Sequence, residues 1–298
     1  MSSVVAEAID VLGPSTLAEA LEMKRDRPEA VPIAGGTDVM VAVNFDRLRP
    51  PAFLDLTRVP ELREWRREAD GTRLFLGAGV TYTRIIREMA GFTPLGQMAR
   101  TVGSPQIRNR GTVGGNLGTA SPAGDALPVL AAYEAEVVVA SATRGERALP
   151  WDRFLVGPKR SALQPDELVL GARWRVTNGP GSFSKIGTRN AMVIAVANLC
   201  LVVDEGSRTI RVALGSVGPT IIRALEAEAF AAERLSWEDA GTGVDDAVVE
   251  RFAALVAGAA RPIDDVRGTA AYRGHAVRVM AGRALRWALR ERLAAGMR

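Results

Sequence analysis

Glycine is concentrated in one internal stretch of the chain, and this stretch limits the folds that the chain can adopt. The segment "QIRNRGTVGGNLGTASPAGD", from Gln106 to Asp125, contains five glycines and no aromatic residue. Such a segment loses much conformational entropy on folding and contributes little to a hydrophobic core. Glycines at this density are expected where the backbone turns sharply or approaches another group closely.

A second glycine turn, "AGGTD", follows the short apolar strand pattern "VPI" and precedes a helical pattern. Free amides at the start of a helix attract phosphate oxygens, so two such turns could bind one pyrophosphate. Thr37, Thr112 and Asn116 would add side-chain partners. Neither turn has the spacing of a dinucleotide fingerprint or of a P-loop, which disfavours both folds. Each turn could also be only a tight connection.

The apolar patterns predict an α+β fold built from three segments. Residues 1–57 and 58–177 alternate strand and helix patterns, which predicts two α/β units. Residues 178–298 contain three consecutive strand patterns and then three helical patterns, which predicts a three-stranded antiparallel sheet with helices. Thr16 and Glu19 form a capping-box pattern at the start of the first helix. Asp125 is placed where it could cap a later helix.

The single cysteine and the single histidine exclude several kinds of site. Cys200 cannot form an internal disulfide, and one cysteine cannot hold an iron–sulfur cluster or a four-cysteine zinc site in this chain. Its apolar neighbours predict a buried, inert thiol, and His275 is predicted to be structural. No metal site is expected.

Charge and hydropathy narrow the expected partners and location. The formal charge of +4 comes mainly from scattered arginines without interleaved aromatic residues, so nucleic acid is not an expected partner. No apolar run reaches the roughly 18 residues of a membrane span, and no leader pattern is present. We therefore expect a cytoplasmic protein without a membrane span.

Four segments, taken in order, resemble one known family. They are "PIAGGTDVMVAVNFDRLRPPAFLDLTRVPEL", "LGAGVTYTRI", "GSPQIRNRGTVGGNLGTASPAGDALPVLAAYEAEVVV" and "FSKIGTRNAMVIAVANLCLVVD". Together they resemble the FAD-binding, or medium, subunit of the molybdenum hydroxylases, the family of xanthine dehydrogenase and carbon monoxide dehydrogenase. The resemblance continues to "DVRGTAAYRGHAVRVMAGRAL" and so covers nearly the whole chain.

The resemblance implies a fold and a set of cofactor-binding residues. The fold is a two-lobed FAD-binding domain of the vanillyl-alcohol-oxidase (PCMH) type, followed by a C-terminal domain. The matched positions are Pro32, Ile33, Ala34, Gly35, Gly36, Thr37, Asp38, Val39, Val102, Thr112, Val113, Gly114, Gly115, Asn116, Asp125, Leu168, Val169 and Lys185. Residues 32–39 and 112–116 correspond to the two FAD loops, and the match at Leu168 or Val169 is ambiguous by one residue.

Three of these positions carry charge: Asp38 in the first loop, and Asp125 and Lys185 outside the two loops. Asp125 matches an acidic residue that contacts the cofactor, and Lys185 matches a basic residue close to the flavin ring. A cation there would stabilise the negative charge of reduced flavin and raise its potential. The alternative is that Lys185 is a solvated lysine on a strand.

The implied function is electron transfer. FAD on this chain would take electrons from a [2Fe–2S] cluster on a small partner subunit and pass them to NAD+, oxygen or another acceptor. Substrate would be hydroxylated at a molybdopterin centre on a large subunit, and the expected assembly is a heterohexamer with two copies of each chain. No residue of this chain is predicted to be a catalytic acid or base.

Two other functions stay open: a self-contained flavin oxidoreductase, which would need its own substrate pocket and base, and a non-catalytic nucleotide-binding assembly subunit.

Within the family, "GGTD" replaces the "GGHS" of carbon monoxide dehydrogenase-like members. This favours xanthine dehydrogenase-like hydroxylases of N-heterocycles or aldehydes. The single cysteine excludes the benzoyl-CoA type, which carries an additional cluster in this subunit.

Overall fold

The structure is a computed structural model that describes residues 9–68, 70–238 and 244–296. Its strands are β1 (Asp10–Leu12), β2 (Val31–Ile33), β3 (Ala52–Asp55), β4 (Trp65–Arg67), β5 (Arg73–Gly77), β6 (Glu136–Ser141), β7 (Gly145–Pro150), β8 (Leu155–Gly157), β9 (Arg160–Ser161), β10 (Leu168–Arg175), β11 (Gly181–Ile186), β12 (Ala197–Asp204), β13 (Thr209–Gly215) and β14 (Ile222–Arg223). Its helices are α1 (Leu17–Asp26), α2 (Val39–Asn44), α3 (Tyr82–Glu88), α4 (Thr93–Thr101), α5 (Pro105–Arg110), α6 (Val113–Thr119), α7 (Ala126–Ala132), α8 (Trp151–Phe154), α9 (Leu225–Arg234), α10 (Asp246–Ala259) and α11 (Ala270–Gly296). The outer ends of the predicted units 1–57 and 178–298 lie outside the described residues.

The first sheet is small and parallel. β3 lies between β1 and β2, so the carboxyl ends of all three strands share one edge. The predicted cap begins α1, because Thr16 Oγ1 accepts a hydrogen bond from Glu19 N at 3.2 Å. Glu19 Oε2 in turn accepts one from Ser15 N, one residue earlier than a standard capping box. Because β2 is parallel to β3, the loop after β2, which is the first glycine turn, leaves the sheet at its carboxyl edge.

The second sheet differs from the α/β unit predicted for residues 58–177. Its five strands run antiparallel in the order β4-β5-β10-β6-β7. Helices α3 to α7 are inserted between β5 and β6 along the chain, so the sequence alternates strands and helices although no strand pair is parallel. The edge strand β7, "GERALP", was not expected, because it is largely exposed and carries no apolar alternation.

The third sheet has four antiparallel strands, one more than predicted, in the order β11-β12-β13-β14. All residues of β12 are buried, and they alternate between two cores. Cys200 faces the core of α3, α4 and α7, whereas Leu199 and Leu201 face the core of α9 to α11. The added strand is β14, which contains only Ile222 and Arg223. Two residues are too few to show a strand periodicity.

The structure confirms the α+β class: among the described residues, the three larger sheets, the short antiparallel pair of β8 and β9, and their covering helices enclose three apolar cores. Cys200 is fully buried, and burial raises the pKa of its thiol, as expected of an inert cysteine. No helix among the described residues has the length and apolar character needed to cross a membrane.

A buried arginine joins the last helix to the third sheet. Arg273, at the start of α11, is 2 % exposed. Its Nη1 donates to Val196 O at 2.6 Å and to Ser216 O at 2.7 Å, and its Nη2 lies 2.6 Å from Asp265 Oδ1. One guanidinium thus satisfies two strand-end carbonyls and fixes the segment that leads into α11.

We expect Arg273→Met to lower the free energy of unfolding by about 3 kcal/mol, because it leaves buried carbonyls and a carboxylate without their partner. Arg278→Met is the matched control on the same helix. Arg278 forms an exposed pair with Glu250 at 3.4 Å, and such pairs contribute about 0–1 kcal/mol. Urea denaturation of both variants tests this, and equal losses would contradict the role given to Arg273.

Candidate functional site

The two glycine turns lie against each other. A Cβ atom on Gly35, in the loop after β2, would overlap the backbone carbonyl of Arg110, at the end of α5. Thr119 Oγ1, at the end of α6, donates a hydrogen bond to Asp38 Oδ2 at 3.0 Å. The turns are therefore held together by backbone packing at one end and by a side-chain hydrogen bond at the other.

The glycines of the two turns serve different purposes. Gly114 N donates to Ala78 O at 3.0 Å, and a Cβ on Gly114 would lie 2.5 Å from the Ala78 Cβ, so this glycine allows α6 to pack on the end of β5. Gly36 has a φ of +74°, a conformation that disfavours other residues. In contrast, a Cβ on Gly115 would meet only Thr112 Oγ1, at 3.3 Å, and one on Gly118 would meet nothing.

A cavity of about 410 Å³ lies between the turns. Most of the predicted site residues line it: Pro32, Ala34, Gly35, Gly36, Thr37, Asp38, Val39, Val102, Thr112, Gly114, Gly115, Asn116, Leu168 and Val169. Leu168 and Val169 both line the cavity, and which of them contacts the cofactor stays a prediction. Arg108 Nη1 donates to Val102 O at 3.0 Å and to Gly103 O at 2.9 Å, which fixes the turn that carries Val102.

Sequence reasoning missed other residues of the cavity wall. The main ones are Ala78, Gly79, Tyr82, Ile107, Gly118, Thr119, Leu163 and Glu167. They come from the turn after β5, from α3, α5 and α6, and from the segment before β10, and only the tertiary fold brings these elements together. Tyr82 lies in the quoted segment "LGAGVTYTRI", where a tyrosine at the start of a helix has the pattern of an ordinary core residue.

Four predicted residues do not line this cavity. Ile33 faces a shallow hollow on the other side of the first turn. Val113 is buried in the core, with 1 % of its surface exposed. Asp125 and Lys185 lie behind the wall and contact each other.

Asp125 and Lys185 form a buried ion pair. Lys185 Nζ lies 2.6 Å from Asp125 Oδ2, and both side chains are less than a tenth exposed. Lys185 Nζ also donates to Thr101 O at 3.1 Å, and Asn198 Nδ2 donates to Asp125 Oδ1 at 2.9 Å. Burial raises the pKa of Asp125, while the charge of Lys185 and the two hydrogen bonds oppose the shift.

The pair corrects two simpler interpretations from the sequence. Lys185 is not a solvated strand lysine. Asp125 makes no side-chain cap of α7; the cap comes from Asn116 instead, whose Oδ1 accepts a hydrogen bond from Ala126 N at 3.2 Å. Thr112 is likewise used by the fold, because its Oγ1 accepts from Gly115 N at 3.0 Å.

The first turn differs from the second in its free amides. In the second turn, Gly114 N and Gly115 N already donate to acceptors in the protein. In the part of the chain that the structure describes, the amides of residues 35–39 have no acceptor, since the α2 bonds begin with Met40 N donating to Gly36 O. The first turn thus offers the cavity a row of unused donors, which suits an anionic group.

Two family models match the sequence. The "FAD binding domain in molybdopterin dehydrogenase" matches residues 7–173, and the "CO dehydrogenase flavoprotein C-terminal domain" matches residues 182–288. The cavity wall described above falls within the first of these regions.

Individual relatives agree with the family models. Caffeine dehydrogenase subunit beta of Pseudomonas sp. (strain CBB1) is 35 % identical over 72 % of this chain and 75 % of the relative. The xanthine dehydrogenase FAD-binding subunit of Escherichia coli O157:H7 is 30 % identical over 72 % of this chain and 76 % of the relative. A solved carbon monoxide dehydrogenase of Hydrogenophaga pseudoflava, which lacks the Mo-pyranopterin moiety of the molybdenum cofactor, matches with a TM-score of 0.84 and 27 % identity. That match covers 96 % of this chain and 99 % of the other.

We expect Lys185→Met to destabilise the fold by about 3 kcal/mol or more near pH 8, because Asp125 is left buried without its cation. The loss should be smaller near pH 5. Without Lys185 the pKa of Asp125 rises further in the folded state, so the folded protein binds a proton there more tightly than the unfolded chain does. The stability of the variant therefore falls as the pH rises through that pKa.

Urea denaturation across this pH range measures the effect. Lys159→Met, at an exposed lysine, is the control and should show little pH-dependent change relative to the wild type. A pH-independent difference between Lys185→Met and the wild type would contradict this description of the pair.

Proposed function

The chain belongs to the FAD-binding, or medium, subunits of the molybdenum hydroxylases, and we propose that it is the electron-transfer subunit of a heteromeric, xanthine dehydrogenase-like enzyme. In this role, FAD bound to the chain takes electrons from a [2Fe–2S] cluster on a partner subunit. It passes them to a final acceptor such as NAD+ or oxygen. Substrate is hydroxylated elsewhere, at the molybdopterin centre of a large subunit.

One observation supports the FAD site above all others. Two touching glycine turns enclose a cavity, and at Gly115 and Gly118 its wall consists of backbone without a side chain. Bare backbone lets a ligand approach more closely than any side chain would allow. The unused amides of the first turn would hold the pyrophosphate, and the apolar side chains of Val102, Leu168 and Val169 would contact less polar parts of FAD. The residues present therefore fit this cofactor.

The chemistry is divided between cofactor and protein. Bound FAD supplies the capacity to exchange electrons singly or in pairs. This chain holds the cofactor in place and surrounds it with a fixed electrostatic environment, in which the Asp125–Lys185 pair carries no net charge. Because the chain has one cysteine, it cannot itself hold a cysteine-ligated cluster, so single electrons must arrive from another chain.

The cavity wall argues against a self-contained oxidoreductase. Besides Tyr82, its ionisable side chains among the described residues are Asp38 and Glu167. Asp38 accepts the hydrogen bond of Thr119, and Glu167 is 3 % exposed and bound by Arg147 at 2.7 Å. The buried, arginine-paired Glu167 is not free to act as a base on a substrate, and Asp38 is an exposed carboxylate that joins the two turns. Electron relay needs no such base.

The proposed partners are a small [2Fe–2S] subunit and a large molybdopterin subunit, in a heterohexamer with two copies of each. Relatives named as subunits of dehydrogenases support a multi-chain assembly. Several large apolar side chains are well exposed on this chain, among them Phe45, Met192, Ile194 and Val266. In the proposed assembly, partner subunits cover these side chains.

We expect Gly115→Val to weaken FAD binding about 100-fold, because its side chain occupies space that the ligand needs, while the FAD-free fold stays close to the wild type in stability. Flavin that does bind should be released by acid precipitation, because neither the single cysteine, Cys200, nor the single histidine, His275, lines the cavity. Gly36→Val is a poorer test, because its positive φ adds backbone strain.

The matched control is Gly258→Val, which places the same side chain on an exposed helical glycine of α10 with nothing within 4 Å. Fluorescence titration of the FAD-free proteins with FAD measures the affinities. Equal affinities for Gly115→Val and Gly258→Val would refute the proposed site, and flavin that stays on the precipitated protein would refute non-covalent binding.

A further inference from the structure

Asn198 is a buried polar residue between apolar neighbours on β12. Its side chain is fully buried in the third sheet. Lys185 on β11 and Gly215 on β13 are its direct cross-strand partners. A Cβ atom on Gly215 would overlap Asn198 Oδ1, so the glycine leaves the space that the amide fills. The fold therefore makes room for this polar side chain inside the sheet.

The amide group of Asn198 is only partly used by the protein. Its Nδ2 donates to Asp125 Oδ1 at 2.9 Å. Its Oδ1 is buried and has no hydrogen-bond partner among the described residues. A buried polar atom without a partner destabilises a fold, and an apolar side chain of the same size avoids that cost. The packing of the sheet therefore does not explain the amide, whereas its contact with Asp125 does.

The hydrogen bond from Asn198 completes the surroundings of the Asp125 carboxylate. Oδ2 lies 2.6 Å from Lys185 Nζ, and Oδ1 accepts from Asn198. Burial raises the pKa of Asp125, whereas the charge of Lys185 and the hydrogen bonds from Lys185 and Asn198 lower it. Among the described residues, Tyr82 on α3 is a further ionisable group that interacts with Asp125, and burial raises the pKa of its hydroxyl, which stays neutral. Each carboxylate oxygen thus has a donor that favours the ionised form.

The Asp125–Lys185 pair lies directly behind the cavity wall. Lys185 Nζ donates to Thr101 O at 3.1 Å, and the next residue, Val102, lines the cavity. Charges in a buried environment interact over several ångströms because little water screens them. A net charge on the pair would therefore act on any group that is bound against Val102.

We propose that Asn198 is a positioning residue that keeps the Asp125 carboxylate ionised against Lys185, so that a flavin ring bound against Val102 faces a pair without net charge. This inference rests on the proposed function, in which FAD fills the cavity. Reduced flavin carries negative charge, which a net positive charge behind the wall would stabilise. By holding the pair neutral, Asn198 keeps the reduction potential of bound FAD below the value that an unpaired lysine would give.

The test is Asn198→Leu in the FAD-loaded chain, with the reduction potential measured without oxygen against reference dyes near pH 6 and near pH 9. Leucine removes the donor to Asp125 Oδ1, so the pKa of Asp125 rises and the pair gains net positive charge near pH 6. Reduced FAD should then bind about tenfold more tightly relative to oxidised FAD, which is a rise of about 30 mV for two electrons. Near pH 9 the carboxylate is ionised again, and the difference from the wild type should be small.

Two further variants keep the test decisive. Asn198→Ala removes the same donor with a smaller side chain, so it should give the same pH-dependent rise even where leucine disturbs the packing. Asp125→Asn removes the negative charge of the pair at every pH, so it should raise the potential near pH 6 and near pH 9 alike.

Ser182→Ala is the matched control. Ser182 lies on β11, is 7 % exposed and has a buried hydroxyl without a partner among the described residues. Its loss should leave the potential of bound FAD at the wild-type value at both pH values.

The outcomes separate this inference from the proposed function. An asparagine with only a structural role would lower stability and leave the potential unchanged, so wild-type potentials near pH 6 in both Asn198 variants would overturn the role of Asn198. An unchanged potential in FAD-loaded Asp125→Asn would overturn it too, because the pair would then not act on the flavin. A wild-type chain that binds no FAD would overturn the proposed function itself.

Discussion

The site depends on one close approach between two backbones, at Gly35 and the carbonyl of Arg110. Any side chain at position 35 would push the first turn away from α5 and so away from the second turn. The approach joins the parallel sheet, which delivers the first turn, to the helices that carry the second. The cavity is the space left between the turns once this contact is made.

Around that contact, some groups of the cavity wall are packed or hydrogen-bonded within the protein, and others are left without a partner. Gly114 packs against Ala78, and the Asp125–Lys185 pair stands behind the wall with both charges satisfied. Among the described residues, the unused polar groups of the wall include the amides of the first turn. Groups used by the fold therefore hold the cavity in shape, and the unused ones are available to a ligand.

The sequence predicted the glycine turns and the α+β class, because turns and strand patterns are local. The resemblance to the family, and not a local pattern, supplied predicted positions such as Val102 and Leu168 that line the cavity. The sequence could not separate the glycines by purpose, since the neighbours of Gly35 and Gly114 come from distant segments. Asp125 and Lys185 were each singled out, but 60 residues separate them, and only the fold shows their pairing. The antiparallel second sheet was missed because inserted helices give the same strand–helix order as a parallel unit.

The central claim is that this chain relays electrons received from a partner and does not oxidise substrate itself. The most direct measurement is the visible absorbance of the bound flavin without oxygen, after a purine, N-heterocycle or aldehyde is added. The comparison is between the chain alone and its assembly with the iron–sulfur and molybdopterin subunits. We predict that the flavin stays oxidised in the lone chain and is bleached in the assembly. Bleaching of the lone chain by such a substrate would contradict the account.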